Sequence, residues 1–186
     1  MKKYLKPALV LFAVCAATAL ILAAVNALTA KKIAENQSAA ETEAVYAVFG
    51  DGVECAELSD IPDGVKRIVV VSRGGEVLGW CVSVSPNGFG GNIDMVVGIS
   101  PDKKIVGISI TALSETPGLG SRVAEAQYLA GYEGLGGDIK LGSGIDAISG
   151  ATISSRSVLT GVNRALDAVS GRDARQDAAA AQRGGQ

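Results

Sequence analysis

The chain has 186 residues and a net charge of −2, so it lacks the clustered basic footprint that nucleic acid demands, and no nucleic-acid partner is expected. It has no histidine, which excludes Ser-His-Asp and Cys-His nucleophile systems, His-based zinc sites and His-ligated haem. Its three cysteines, Cys15, Cys55 and Cys81, form no C-x-x-C, which argues against an iron–sulfur cluster and leaves any redox chemistry to an organic cofactor.

The chain opens on a short basic stretch, 1–6, followed by an uncharged run from Pro7 to Val25 that Ala27–Ala30 weakly extend. Nineteen residues at about 1.5 Å each reach about 28 Å, close to the hydrocarbon thickness of a bilayer. The run exceeds the apolar region of a signal peptide, and Leu28–Ala30 is a poor cleavage site, so an uncleaved transmembrane helix is expected over 7–29. Lys2, Lys3 and Lys6 precede it and Lys31 and Lys32 follow, a bias that places the N-terminus in the cytoplasm and the bulk outside. In an oxidising compartment Cys55 and Cys81 form a disulfide or remain two small apolar residues; the sequence leaves both open.

Residues 30–65 read as a helix continuing to Phe49 and then an acidic, turn-rich linker with Pro62-Asp63-Gly64 as a turn. A strand-rich block follows. Lys66–Ser72 is β-branched, Gly74-Gly75 is a hairpin signal, and Glu76–Ser85 is its partner. Ile93–Ile99 and Ile105–Ala112 complete an antiparallel meander. Ser121–Tyr128 reads as a short helix and Asp138–Leu141 as a brief strand. Val158, Leu159, Val162, Leu166 and Val169 recur at helical spacing, and Gly171 ends that helix. The expected fold class is α+β: a transmembrane helix, then an antiparallel-sheet domain with flanking helices over 66–171. The tail 172–186 is polar and alanine-rich and is expected to be disordered.

Three glycine-bearing loops stand out: Gly88-Phe89-Gly90-Gly91, Glu115-Thr116-Pro117-Gly118-Leu119-Gly120, and Asp146-Ala147-Ile148-Ser149-Gly150-Ala151-Thr152. Glycine lets backbone N–H groups approach a ligand closely, although such loops are commonly plain turns. The last loop places hydroxyls directly before an amphipathic helix, whose N-terminus suits a phosphate. Thr152 there is able to sit beside a phosphate or be esterified to one. The competing reading makes Ser149, Thr152, Ser154 or Ser155 an ordinary N-cap.

The motif Asp146…Ser149-Gly150-Ala151-Thr152 with following hydroxyls resembles the flavinylation motif of the FMN-binding domain family. That family includes the G subunit of the Rnf electron-transport complex and the C subunit of the sodium-pumping quinone reductase. The other two loops are similar to the family's motifs in order and residue type, and the resemblance extends over Ala44–Asp167. One departure is Phe89, which stands where tyrosine is expected.

The resemblance implies FMN bound covalently through a phosphodiester to Thr152, with Ser149, Gly150 and Ala151 supplying backbone donors and a tight fit, and Ser154 beside them. It implies that Asp146 belongs to the pattern read by a flavin transferase that uses FAD and Mg²⁺. Glu115, Thr116, Gly118, Leu119 and Gly120 would line the ring or ribityl chain, together with Gly88, Phe89 and Gly90. It implies other membrane subunits of an Rnf-type complex as partners, single-pass insertion in the plasma membrane, and a flavin domain on the extracytoplasmic side. A free-standing anchored flavoprotein and a non-redox anchored binding domain are the alternatives that the sequence leaves open.

Overall fold

The computed structural model describes residues 2–184, so Met1 of the expected cytoplasmic stretch and the last two residues of the expected tail lie outside the described residues. Contacts divide the chain into two compact units, residues 1–39 and 40–186. The expected linker 30–65 is therefore not separate: from Ala40 onward it belongs to the second unit.

Helix α1 (Lys2–Phe49) is long and apolar enough over Pro7–Phe49 to cross a membrane. Leu9, Leu11, Phe12, Leu20 and Leu22 all project outward. Two of its hydroxyls are satisfied within the helix: Thr18 Oγ1 donates to the Val14 and Cys15 carbonyls at 3.1 and 2.9 Å, and Thr29 Oγ1 to the Val25 carbonyl at 2.9 Å. Such back-bonding spares each hydroxyl the several kcal/mol that an unpaired polar group costs in hydrocarbon (about 4–8 kcal/mol).

The second unit is built on a five-stranded antiparallel sheet in the order β1 (Glu54–Glu57), β2 (Val65–Arg73), β3 (Glu76–Val84), β4 (Ile93–Ile99) and β5 (Ile105–Leu113). The β2–β3 hairpin turns at Gly74 and Gly75, whose φ values of +57° and +86° match the twist of the flanking strands. β1 lies inside the segment read as linker. It pairs Glu54–Glu57 with Ser72–Val69 on the free edge of β2 and extends the meander from four strands to five.

Alternation along the strands sorts the core into two layers. Ile68, Val70, Trp80, Val82, Met95 and Val97 face α3 (Thr152–Val169), which returns Val158, Val162, Leu166 and Val169. Val69, Val71, Cys81 and Val96 face the other way and meet Ala44 and Val45 near the C-terminal end of α1. Val48 sits directly on Gly98, where an added Cβ would come within 2.2 Å of its Cγ1.

Between β5 and α3 the chain forms a 3-10 turn (Gly120–Ala124), the short helix α2 (Ala126–Ala130), and two brief parallel strands, β6 (Lys140–Leu141) and β7 (Gly144–Ile145). The expected single helix over Ser121–Tyr128 is thus split at Glu125, whose ψ of 132° is extended.

The expectation of a disordered tail is corrected: Ala174–Gly184 forms α4. The physical reason is a stripe of alanines, Ala174, Ala178 and Ala181, packed on the core, together with a set of polar anchors around Trp80. Trp80 is fully buried, and its Nε1–H donates to Asp177 Oδ2 at 2.9 Å. Arg172 pairs with Asp177 at 3.5 Å and with Asp60 at 3.0 Å. Lys103 lies 3.6 Å over the Trp80 ring and donates to the Arg172 carbonyl. Trp80 is therefore a core residue under α4.

Candidate functional site

The three glycine loops converge. The loop between β3 and β4, the loop after β5 and the start of α3 together enclose a groove of about 310 Å³. It is lined by Phe89, Glu115, Thr116, Leu119, Gly120 and residues Gly150–Ser154. Its rim is apolar. Among the described residues beyond Phe49, four large apolar side chains are exposed, and three of them, Phe89, Leu119 and Ile153, belong to this groove. Exposed apolar groups gathered in one place mark a surface that something covers.

Glu115 holds two of the loops together. Its carboxylate is buried and accepts the Phe89 N–H at 2.6 Å and the Gly90 N–H at 3.4 Å. Space for it exists because neighbouring residues lack side chains: an added Cβ would lie 2.0 Å from Oε1 at Gly88 and 2.4 Å from Oε2 at Gly120. Glu115 therefore acts as a strut between loops as well as a lining residue. Gly88 and Gly90 shape the loop against Glu115 and the Ser114 carbonyl instead of lining the groove. Gly118 is the left-handed corner of its turn (φ +75°), with its N–H donated to Ser121 Oγ at 2.9 Å.

The third loop ends at Gly150, whose φ of +82° suits glycine, and passes through Ala151 into α3. Ala151 is the N-cap, and no side chain caps the helix. The ordinary capping reading therefore fails for each hydroxyl. Ser155 Oγ instead accepts the Ile148 N–H at 3.0 Å. Ser154 is buried beside Gly120, and Ser149 and Asp146 lie outside the groove, Asp146 exposed. Thr152 is exposed at the first helical position and borders the groove. The Ser155 N–H returns to the Ala151 carbonyl at 2.9 Å, so the free donors of this N-terminus are those of Thr152, Ile153 and Ser154. No acidic residue occupies the first turn. The arrangement offers uncapped N–H groups, the positive end of a helix and an accessible alcohol beside an apolar rim.

Ile153 escaped the sequence reading. Its signal was present: it is an apolar residue on the side of α3 opposite the buried stripe of Val158 and Val162.

The FMN-binding domain family model matches residues 88–167, from the first glycine loop to near the end of α3, and the RnfG N-terminal region matches residues 1–48. The chain is 32% identical to the G subunit of the Na(+)-translocating ferredoxin:NAD(+) oxidoreductase complex of Acetobacterium woodii, over 89% of this chain and 91% of that protein. The chain belongs to the family of these G subunits. The proton-translocating counterpart from Clostridium ljungdahlii is 28% identical, over 83% of this chain and 85% of its own length. The crystal structure of Shewanella oneidensis NqrC shares the fold, with a TM-score of 0.50 at 20% identity over 64% of this chain and 81% of that one. The family model, which ends before α4, spans all three loops of the groove.

The cysteines stay apart. Cys55 on β1 lies opposite Val71, and Cys81 on β3 opposite Val69, so β2 separates them. Two strand spacings amount to about 10 Å, beyond the roughly 7 Å Cα limit of a disulfide. Both are free thiols. Burial pushes the Cys81 thiol far above its ordinary range, and burial also raises Cys55, with Arg67 opposing.

Proposed function

We propose that this chain is the electron-transfer G subunit of an Rnf-type ion-translocating complex, carrying FMN as a phosphodiester on Thr152. The family supports the coarse reading: relatives across most of the chain are named as G subunits of ion-translocating ferredoxin:NAD(+) oxidoreductase complexes. The observation that carries the finer one is the start of α3, where an exposed threonine stands at an uncapped helix N-terminus on the edge of an apolar groove.

The residues present fit the cofactor. Phe89, Leu119 and Ile153 offer apolar surface to a flat ring, and the N–H groups of Thr152, Ile153 and Ser154 offer donors to a phosphate. The residual charge of a phosphodiester gains about 0.3–1 kcal/mol from the helix end. Bound FMN supplies one- and two-electron transfer that no side chain of this chain provides. In the attachment step the Thr152 hydroxyl oxygen bonds to the FMN-side phosphorus of FAD. The pyrophosphate P–O bond breaks, AMP leaves, and the hydroxyl proton passes to solvent. A Mg²⁺-dependent flavin transferase carries out this step and reads the exposed Asp146. The charge bias around α1 supports an extracytoplasmic flavin domain.

Coexpression with a flavin transferase tests the linkage. The wild-type chain and Ser154→Ala should give an ultraviolet-fluorescent gel band and the mass increment of FMN, and Thr152→Ala should give neither. Thr152→Ser should retain part of the product, because the hydroxyl survives. Flavin on Thr152→Ala with none on Ser154→Ala would overturn the assignment.

A further inference from the structure

Thr152 borders a second groove, one that carries two arginines. The first turns of α3 and the segment leaving β3 enclose about 500 Å³ between Ser85, Asn87, Thr152, Arg156, Thr160 and Arg164. No carboxylate lines it. Ser157 Oγ donates to the Asn87 carbonyl and fixes that wall to the helix. The two arginines differ. Arg164 is engaged: its Nη1 donates to the Gly64 carbonyl at 3.3 Å, and its side chain packs over Gly64. Arg156 is exposed, and among the described residues its guanidinium has neither an ion pair nor a hydrogen bond. Ser85 Oγ, on the facing wall, is buried without a hydrogen-bond partner. The groove thus holds an unpaired cation one helical turn on from the threonine.

We propose that Arg156 anchors the phosphate of the Thr152-linked flavin, its guanidinium pairing with the phosphodiester anion in this groove. The inference rests on the Thr152 reading and adds the residue that positions the phosphate. Residues four apart on a helix have Cβ atoms about 5–6 Å apart, within reach of the long arginine side chain. Two non-bridging oxygens sharing one negative charge match the planar fork of a guanidinium, which binds phosphate in bidentate fashion. Thr152 therefore stands on a ridge between an apolar groove suited to a ring and a cationic groove suited to the phosphate. The covalent bond fixes one atom; the ion pair fixes the orientation of the group around it. Arg156 is a positioning residue, and attachment itself does not depend on it.

The full-length, unflavinylated chain in detergent micelles tests this with inorganic phosphate as probe, followed by ¹⁵N NMR at the Arg156 Nε–H and the Thr152–Ser154 amides. Wild type should show saturable shifts at these groups. Arg156→Gln should weaken the response by about tenfold, and Arg156→Lys, a point charge without the fork, should fall between. In flavinylated protein, Arg156→Gln should keep the full FMN mass increment but show a larger fast component in flavin fluorescence anisotropy. Phosphate shifts and anisotropy unchanged by Arg156→Gln would overturn the anchor and leave the linkage standing. A wild-type chain that takes up no flavin would overturn the linkage, while the phosphate titration would still report on Arg156.

Discussion

Hydroxyls at the start of α3 meet different fates. Ser155 serves the backbone of Ile148, Ser154 is buried against Gly120, and Thr152 faces the groove. Because Thr152 caps nothing, Thr152→Ala should change stability by no more than about 0.5 kcal/mol. Loss of flavin from that variant would then be a chemical effect and not unfolding. Glu115 is the opposite case. Glu115→Ala leaves the Phe89 and Gly90 N–H groups without their acceptor and should cost about 1–3 kcal/mol. Glu115→Gln keeps one carbonyl acceptor and should cost less. Thermal melts followed through Trp80, the single tryptophan and a fully buried one, compare all three variants. A Thr152→Ala protein less stable than Glu115→Ala would contradict these roles.

At the scale of elements, α4 depends on a few polar anchors. Asp177→Ala removes the acceptor of Trp80 Nε1–H and one partner of Arg172. It should destabilise the domain by about 1–3 kcal/mol and increase hydrogen exchange over Ala174–Gly184 ahead of α3. Exchange that rises equally in both helices would contradict a separately anchored α4. The same element shows where sequence reading stops. Strands β2 to β5 were legible because β-branched runs alternate between hairpin signals, and α3 because its apolar residues keep helical spacing. β1 carries no such pattern, and α4 only a weak one, the alanines Ala174, Ala178 and Ala181 at helical spacing. α4 packs its alanines on the core and is tied through Asp177 to Trp80, while Lys103 and Asp60 hold Arg172 just before it, all far away along the chain, and β1 exists because the edge of β2 is free to pair with it. The groove was legible as three loops of characteristic residues. Their convergence through the Glu115 carboxylate, and the contribution of Ile153, required the fold.

For the whole molecule, the separation of Cys55 from Cys81 by β2 has a direct consequence for its thiols. Alkylation of the denatured, unreduced chain should modify all three cysteines. In the folded state Cys81 should resist, because burial both shields its thiol and holds it protonated. A mass two hydrogens short, with only one cysteine modified, would mean that β1 and β3 are not arranged as described. In the proposed function, an apolar helix, a sheet and three loops together serve one flavin. The most direct test of that claim is peptide mass spectrometry of the chain purified from its own host. A peptide spanning Ser149–Ser155 should carry FMN on the Thr152 oxygen; the same peptide recovered wholly unmodified, from a colourless protein, would contradict the claim.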